Sequence, residues 1–539
     1  MHSHSIELFD TSLRDGGQTA GIHFSTKDKI QIANRLAEFG ITWIEGGWPG
    51  ASPKDDAFFA SMRSRQWHEA SRLVAFGSTA RPHGYTQPSD IQQDAALNAL
   101  LQSGADALCI FGKAWSLHVS EALSISGEEN LDLIRGSIEF LHREMPIVMF
   151  DAEHFFDGYQ DDAAYAMQVL HAAVEGGASR LILCDTNGGT LPQEISRITR
   201  TVCESLPETT IGIHAHNDSE LAVANSLIAI SAGARHVQGT INGIGERCGN
   251  ANLISIIANL SLKTQYNCGI SRERLQELGS LSRFVNEMAN RLPWQHQPFV
   301  GSSAFAHKGG IHVSAIRKSS ALYEHIDPEL VGNKQRILIS DQTGKSNIIS
   351  KITASSIDTG LAPDHPAVAR VVQHIKEMEA QGYAYEGADG SFKLLLLKAG
   401  GRFTSHFELD AFRVIDQKQG HDGRPQAEAT VQIRVGSQKA HTAALGVGPI
   451  HAIDNALRLA LDRFYPQLNG MRLIDFKVRV LSTRDATSAG VRVLIESGDS
   501  STHWGTVGVG SDVIDASYQA LRDAIEYKLH IDGTPCAAR

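Results

Sequence analysis

His214-Ala215-His216 closes an apolar run, Thr210-Ile211-Gly212-Ile213, and leads into Asn217-Asp218. On an extended strand, residues i and i+2 point to the same side, so both imidazoles can address one cation. A similar apolar run opens the chain and ends in Asp10-Thr11-Ser12-Leu13-Arg14-Asp15-Gly16-Gly17-Gln18, where Asp15 offers a hard oxygen ligand. Two nitrogens with one or two oxygens suit a divalent metal that keeps open positions for substrate. An isolated pair of histidines at a strand end is more often an ordinary polar feature. The metal reading depends on what else the chain brings to the same place.

Several residues extend that chemistry. A divalent ion polarises a carbonyl and can orient an α-keto acid through its carboxylate and ketone oxygens. Arg14, beside Asp15, can stabilise developing negative oxygen. Thr186 can hydrogen-bond a substrate carboxylate, and Glu153, in Phe150-Asp151-Ala152-Glu153-His154, can exchange a proton. Glu45 is read as the partner that orients Arg14 through an ion pair. The set favours metal-dependent carbon–carbon bond chemistry over a metallohydrolase, because two-metal hydrolases carry more bridging carboxylates. A non-catalytic binding protein would not explain so many convergent ionisable groups. Two tempting motifs fail: Gly344-Lys345-Ser346 lacks the P-loop's first glycine, where Ile339 stands. Gly243-Ile244-Gly245-Glu246-Arg247-Cys248-Gly249 has three residues before its last glycine and misses the dinucleotide fingerprint.

Positioning these residues requires a scaffold, and the first half of the chain alternates short apolar runs with amphipathic stretches. Strand candidates are Ile6–Phe9, Trp43–Glu45, Leu73–Phe76, Ala107–Ile110, Ile147–Phe150, Arg180–Cys184, Ile211–His214 and His236–Gly239. Helix-patterned segments such as Lys27–Phe39 and Leu221–Ala232 lie between them. This count predicts an α/β fold, a (β/α)8 TIM barrel over residues 1–268; a doubly wound open sheet is the alternative. Arg14-Asp15, Glu45, Arg81, Glu153, Thr186-Asn187, His214 with His216, and Asn250 all follow strand ends, which in a barrel share one face. Closure of strand eight on strand one would bring Asp15, the histidine pair and Asn250 together.

Residues 269–365 read as a helical linker region. Residues 366–539 read as an α+β domain whose alternating segments Phe407–Ile415, Ala429–Val435, Phe476–Leu481 and Val491–Glu496 are half-exposed antiparallel strands. An internal echo marks duplication: Gly446-Val447-Gly448 precedes a helix holding Ile453-Asp454, and Gly508-Val509-Gly510 precedes one holding Ile514-Asp515. Those glycines either admit an anion or small carboxylate or serve tight packing of the turns.

At 539 residues the chain is too long for one core, and its 42% apolar and 20% charged residues are those of a soluble globular protein. A formal charge of −11 with no basic stripe argues against nucleic acid as a partner. The first residues carry no signal-peptide pattern, and no apolar run is long enough to span a bilayer. Six scattered cysteines without a CxxC pair are expected as reduced thiols in the cytoplasm.

Three phrases carry a family resemblance. Asp10–Gln18 (DTSLRDGGQ), His214–Asp218 (HAHND) and Gly239–Asn252 (GTINGIGERCGNAN) resemble the α-isopropylmalate, homocitrate and citramalate synthases. These enzymes belong with metallolyase-type barrels whose Asp-Arg-Glu signature is matched by Asp15, Arg14 and Glu45. Glu45–Lys54, Asp151–Tyr159 and Tyr323–Asn333 look most like the longer, citramalate-forming branch, and residues 366–539 resemble its regulatory and dimerisation domain. The resemblance covers nearly the whole chain.

It implies an acyltransferase that condenses acetyl-CoA with pyruvate in a Claisen-type step, giving (R)-citramalate and CoA toward isoleucine. Asp15, His214 and His216 would be metal ligands, with Asn250 a fourth ligand or close neighbour. The ion would be Mg2+ or Mn2+, with Zn2+ also open. Arg14, Thr186 and Gln18 would bind the keto acid and Glu153 would be catalytic. His312 and Tyr323 match a catalytic histidine and tyrosine that a partner subunit contributes, so the resemblance implies a homodimer. Relatives often carry an aspartate two residues after that histidine; Ser314 stands here, which puts an orienting role for that acid in doubt. Isoleucine is the effector that pathway logic implies for the C-terminal domain. The alternatives are a 2-isopropylmalate synthase using 2-oxoisovalerate and an acyl-CoA-cleaving lyase on the same barrel.

Overall fold

The computed structural model describes residues 5–67, 71–82, 88–340, 342–354, 358–362, 364–417, 426–481 and 490–536. It divides into two compact units. The first comprises Met1–Phe305 with Ile326–Lys334, and the second Ala306–His325 with Gln335–Arg539.

Eight strands build the first unit: β1 (Glu7–Asp10), β2 (Trp43–Gly47), β3 (Arg72–Ser78), β4 (Ala107–Lys113), β5 (Val148–Glu153), β6 (Arg180–Asp185), β7 (Thr210–Ala215) and β8 (His236–Gly239). They pair in chain order as a closed barrel, and β8 returns parallel to β1 with Asp10 level with Gly239. The strands are apolar on both faces because both are covered. Leu8, Ile44, Leu73, Leu108 and Val237 face the surrounding helices and are fully buried. Phe9, Trp43, Val74, Cys109, Met149 and Ile182 form a separate cluster inside the barrel, the layered filling expected of this fold.

Helix Thr26–Phe39 shows how the outer layer is specified. Ser25 accepts from the Asp28 backbone while Asp28 reaches back to Ser25, a reciprocal cap. Ile32, Ala33, Leu36 and Phe39 then recur at helical spacing and are buried on the barrel side. At about 1.5–3 kcal/mol per buried large aliphatic side chain, this stripe fixes the helix against the sheet.

At the barrel's N-terminal end, Glu7 gathers three partners. Its Oε2 accepts from Arg180 Nε at 2.6 Å and Trp43 Nε1 at 3.1 Å, and lies 3.2 Å from His236 Nδ1. Arg180 Nη2 reaches Oε1 at 2.7 Å. This polar plug closes the end opposite the strand-end residues singled out above.

The second unit begins with a short parallel pair, β9 (Ala306–His307) and β10 (Arg336–Ile337). Two matching modules follow. β11 (Glu408–Gln417), β12 (Gln426–Val435) and β13 (Gln438–Gly446) form an antiparallel sheet followed by helix Pro449–Leu461. β14 (Arg472–Val480), β15 (Val491–Gly498) and β16 (His503–Gly510) form another, followed by helix Val513–Ile531. In β12 the buried Ala427, Ala429, Val431, Ile433 and Val435 alternate with more open positions, the half-exposed pattern expected. Gly508 serves close packing: a Cβ there would lie 2.0 Å from the Ala516 carbonyl oxygen.

Among the described residues no helix is long and apolar enough to cross a membrane. All six cysteines are free.

Candidate active site

The C-terminal ends of β1 and β7 deliver Asp15, His214 and His216 to one point. Alternation along β7 turns Gly212 and His214 inward, with His216 following on the same side, while Ile211 and Ile213 join the outer core. His214 Nε2 lies 3.3 Å and His216 Nε2 3.9 Å from Asp15 Oδ2. The three residues' ligand atoms all fall within 4.8 Å of one another, and all three residues are buried. Burial alone would raise the Asp15 carboxyl, but Arg14 and the two histidines outweigh it and hold it well below the usual carboxylate range. Burial and His214 lower His216 to about 4, which leaves its imidazole neutral and able to ligate.

Asn250 completes the cluster. Its Nδ2 donates to Asp15 Oδ2 at 2.8 Å and lies 3.3 Å from His214 Nε2, while its Oδ1 is buried without a hydrogen-bond partner. A half-turn of the amide exchanges those two atoms and points the orphaned oxygen at the same spot. One carboxylate oxygen, two imidazole nitrogens and one amide oxygen then surround a point suited to a divalent cation. Gly245 makes room for this side chain: a Cβ there would lie 2.1 Å from Asn250 Oδ1. The glycines that fail as a nucleotide loop thus belong to the turn that admits Asn250.

Arg14 is fixed from two sides. Its Nε donates to Glu45 Oε2 at 2.7 Å, and its guanidinium carbon stacks 3.8 Å from the centre of the Phe76 ring. Thr11 Oγ1 donates to the same Glu45 oxygen. Burial would lower Arg14, but Glu45 and Asp15 more than reverse this and keep it charged. Glu45 thus takes the orienting role expected for it.

Arg14, Asp15, Glu153, Thr186, His214 and His216 line one cavity of about 250 Å3, with Gln18 at its edge. Trp48, Phe76 and Phe111 make its apolar wall, with Phe76 stacked on Phe111 at 5.5 Å between ring centres. Glu153 forms an ion pair with Lys113, its register partner on β4. His154 follows with φ of 57°, a left-handed turn out of β5. Its backbone N–H donates to Thr186 Oγ1 at 2.9 Å, so the hydroxyl keeps its own proton to donate into the cavity. Cys184 also lines the space, and burial pushes its thiol well up.

Sequence reasoning missed four participants. Lys113 is visible only once the β4–β5 register is known. Arg247 grips Asp218 at 2.8 and 2.9 Å and the Thr186 carbonyl at 2.7 Å, tying three strand-end loops at the rim. Gln238 Oε1 accepts from His214 Nδ1 at 2.7 Å, and Gln238 Nε2 donates to Asp151 Oδ1 at 3.0 Å. Inward-facing polar residues in otherwise apolar strands were the available signal for Gln238 and Asp151.

His312 and Tyr323 lie in the second unit. Their rings lie 4.3 Å apart between centres, tilted by 30°, and Tyr323 is 45% exposed. His312 stands on helix Gly310–Ile316, and Tyr323 follows a single 3-10 turn, Ser320–Leu322.

Comparison with known proteins matches this arrangement. Residues 5–285 match the HMGL-like family, residues 299–383 the homocitrate synthase post-HMGL domain-like family, and residues 386–529 the LeuA allosteric (dimerisation) domain. The chain is 51% identical to an (R)-citramalate synthase of Geobacter sulfurreducens, over 97% of this chain and 98% of the relative. It is 50% identical to an (R)-citramalate synthase of Aquifex aeolicus, over 98% of each. A 2-isopropylmalate synthase of Streptococcus gallolyticus is 31% identical, over 96% of this chain and 95% of the relative.

Proposed function

This chain belongs to the HMGL-like family, and from that premise we propose that it condenses acetyl-CoA with pyruvate to give (R)-citramalate and CoA, a first step toward isoleucine. The observation that carries the substrate assignment is the gap in identity: 42–51% to five (R)-citramalate synthases against 30–31% to 2-isopropylmalate synthases. The strand-end residues supply the matching chemistry.

Asp15, His214, His216 and Asn250 would hold one divalent ion, Mg2+ or Mn2+, with Zn2+ also compatible with the imidazoles. When bound, such an ion polarises the ketone and anchors the keto acid. Arg14, pinned by Glu45 and Phe76, holds positive charge beside the cavity where the ketone oxygen gathers negative charge. Thr186 donates a hydrogen bond from its hydroxyl to the keto-acid carboxylate, and Gln18 closes the same side. Glu153 takes a proton from the acetyl methyl group. That carbon then bonds to the ketone carbon as the carbonyl π bond opens, and the resulting alkoxide takes back, directly or through water, the proton that Glu153 removed and becomes a hydroxyl. Water next attacks the thioester carbonyl, the carbon–sulfur bond breaks, and CoA leaves as the thiol, which makes the sequence effectively irreversible. His312 of the partner subunit and Tyr323 of the partner subunit complete the site in a homodimer. Ser314 leaves His312 without an acid two residues on.

Regulation by isoleucine fits a cavity of about 590 Å3 in the second unit, lined by Ile450, Asp454, Arg458, Leu468, Met471 and Phe476 among others. Asp454 and Arg458 pair with each other at 2.9 Å, and Asp462 and Arg472 add opposite charges to the same lining beside apolar side chains, which suits a zwitterion with a branched aliphatic chain. Inhibition of CoA release by isoleucine, but not by lysine, is the expected result. The reducing cytoplasm is the compartment consistent with six free thiols.

The test is thiol release from acetyl-CoA with pyruvate, 2-oxobutyrate, 2-oxoisovalerate and 2-oxoglutarate. Pyruvate should give the highest kcat/KM. A preference for 2-oxoisovalerate would replace the substrate assignment, and no release with any keto acid would favour an acyl-CoA-cleaving lyase.

A further inference from the structure

We propose that Gln238 is a positioning residue that fixes the tautomer of His214, with Asp151 fixing Gln238 in turn, so that His214 Nε2 meets the divalent cation with its lone pair. The inference rests on the cation assignment made above. Nothing in the family comparison assigns either residue a role.

Asp151 Oδ1 receives two donors, Cys109 Sγ at 3.2 Å and Gln238 Nε2 at 3.0 Å. A carboxylate oxygen only accepts, so it dictates which end of the Gln238 amide faces it. The NH2 end must point to Asp151, and the carbonyl end must therefore point away. That carbonyl, Oε1, lies 2.7 Å from His214 Nδ1. A carbonyl oxygen only accepts, so Nδ1 must carry a proton. The atom left facing Asp15 and Asn250 is Nε2, at 3.3 Å from each.

The scaffold makes this order hard to escape. His214 and Gln238 are register partners on β7 and β8, while Asp151 stands on β5. The Gln238 side chain therefore crosses the barrel interior beneath the cavity. Gln238 is fully buried, so water does not offer its amide substitute partners, and a flipped amide would put its NH2 against Nδ1 and its oxygen against a carboxylate. Outer partners of this kind typically change metal affinity 10- to 100-fold when removed.

The experiment measures Mn2+ binding to the metal-stripped full-length protein by calorimetry, alongside circular dichroism to establish folding. Wild type should bind one Mn2+ per chain; if it binds none, the cation assignment itself fails. Gln238→Met preserves volume and removes the acceptor, and should weaken Mn2+ binding 10- to 100-fold. Gln238→Glu can place a protonated oxygen on Asp151 and an accepting oxygen on His214, and should stay within a few-fold of wild type. Affinity unchanged in folded Q238M overturns the inference while leaving the cation site standing. Should Q238M not fold, Q238E decides: retained affinity supports the relay, and a loss of tenfold or more overturns it.

Discussion

Lys113 and Glu153 are register partners on neighbouring barrel strands, and their side chains close an ion pair beside the candidate cavity. The pair places a cation on the carboxylate proposed above to take a proton from substrate. Glu153→Gln should lower kcat by about 10²–10⁴-fold while bound metal per chain stays constant. Near-normal turnover in that variant would remove Glu153 from the chemistry.

Lys113→Met removes the partner that holds the Glu153 side chain and leaves the candidate metal ligands untouched, so kcat should fall while bound metal per chain stays constant. An unchanged kcat would mean that the ion pair does not position Glu153.

His214→Ala should lose both metal and activity, since it removes one of two nitrogens from a cluster spanning less than 5 Å. Metal analysis by mass spectrometry after gel filtration reads the first and thiol release the second. Full activity of wild type in chelator-treated buffer would contradict the cation assignment.

His406 supplies a pH dependence outside the barrel. Its Nδ1 faces Glu526 Oε2 at 2.8 Å and its Nε2 faces the Thr534 carbonyl at 3.0 Å. Both partners accept, so both ring nitrogens carry protons, and the His530 ring lies nearby. Burial lowers the His406 pKa, but Glu526 and Thr534 outweigh it and raise the value above the ordinary 6.5. A group raised on folding stabilises fully below its unfolded value and loses that contribution as pH climbs through the folded one. The stability gap between wild type and His406→Gln should therefore be largest near pH 6 and shrink at alkaline pH. A gap that widens with pH would contradict the doubly protonated ring.

Glu7 has the opposite sign. Burial raises its carboxyl, but Arg180 and His236 bring it far below the usual range, so its contribution is present at neutral pH and lost on acidification. Glu7→Gln should cost about 2–4 kcal/mol in urea unfolding at pH 7. Activity per folded molecule should be unchanged, because Glu7 lies at the barrel end opposite the cavity.

The barrel was legible because each strand is an apolar run followed by a polar cluster, and all eight appear within a few residues of expectation. β13 and β16 were harder. Gln438–Gly446 is polar and small, and His503–Gly510 is glycine-rich, so neither carries the alternation that marks β12. At the site, the histidine pair and Asp15 announce themselves by spacing. Lys113, Gln238 and Asp151 do not, since their partners are set by strand register and by a side chain crossing the barrel interior, which no local pattern encodes. Pairing of Glu45 with Arg14 was expected because both follow strand ends that share one face of the barrel, and β1 and β2 are direct neighbours.

The most direct measurement is product analysis after incubating the enzyme with pyruvate and acetyl-CoA carrying 13C in the methyl group. Condensation predicts (R)-citramalate with the label in its methylene carbon and one free CoA thiol for each molecule formed. Release of CoA with labelled acetate and no citramalate would show a thioester hydrolase, and would contradict carbon–carbon bond formation at the Asp15–His214–His216 site.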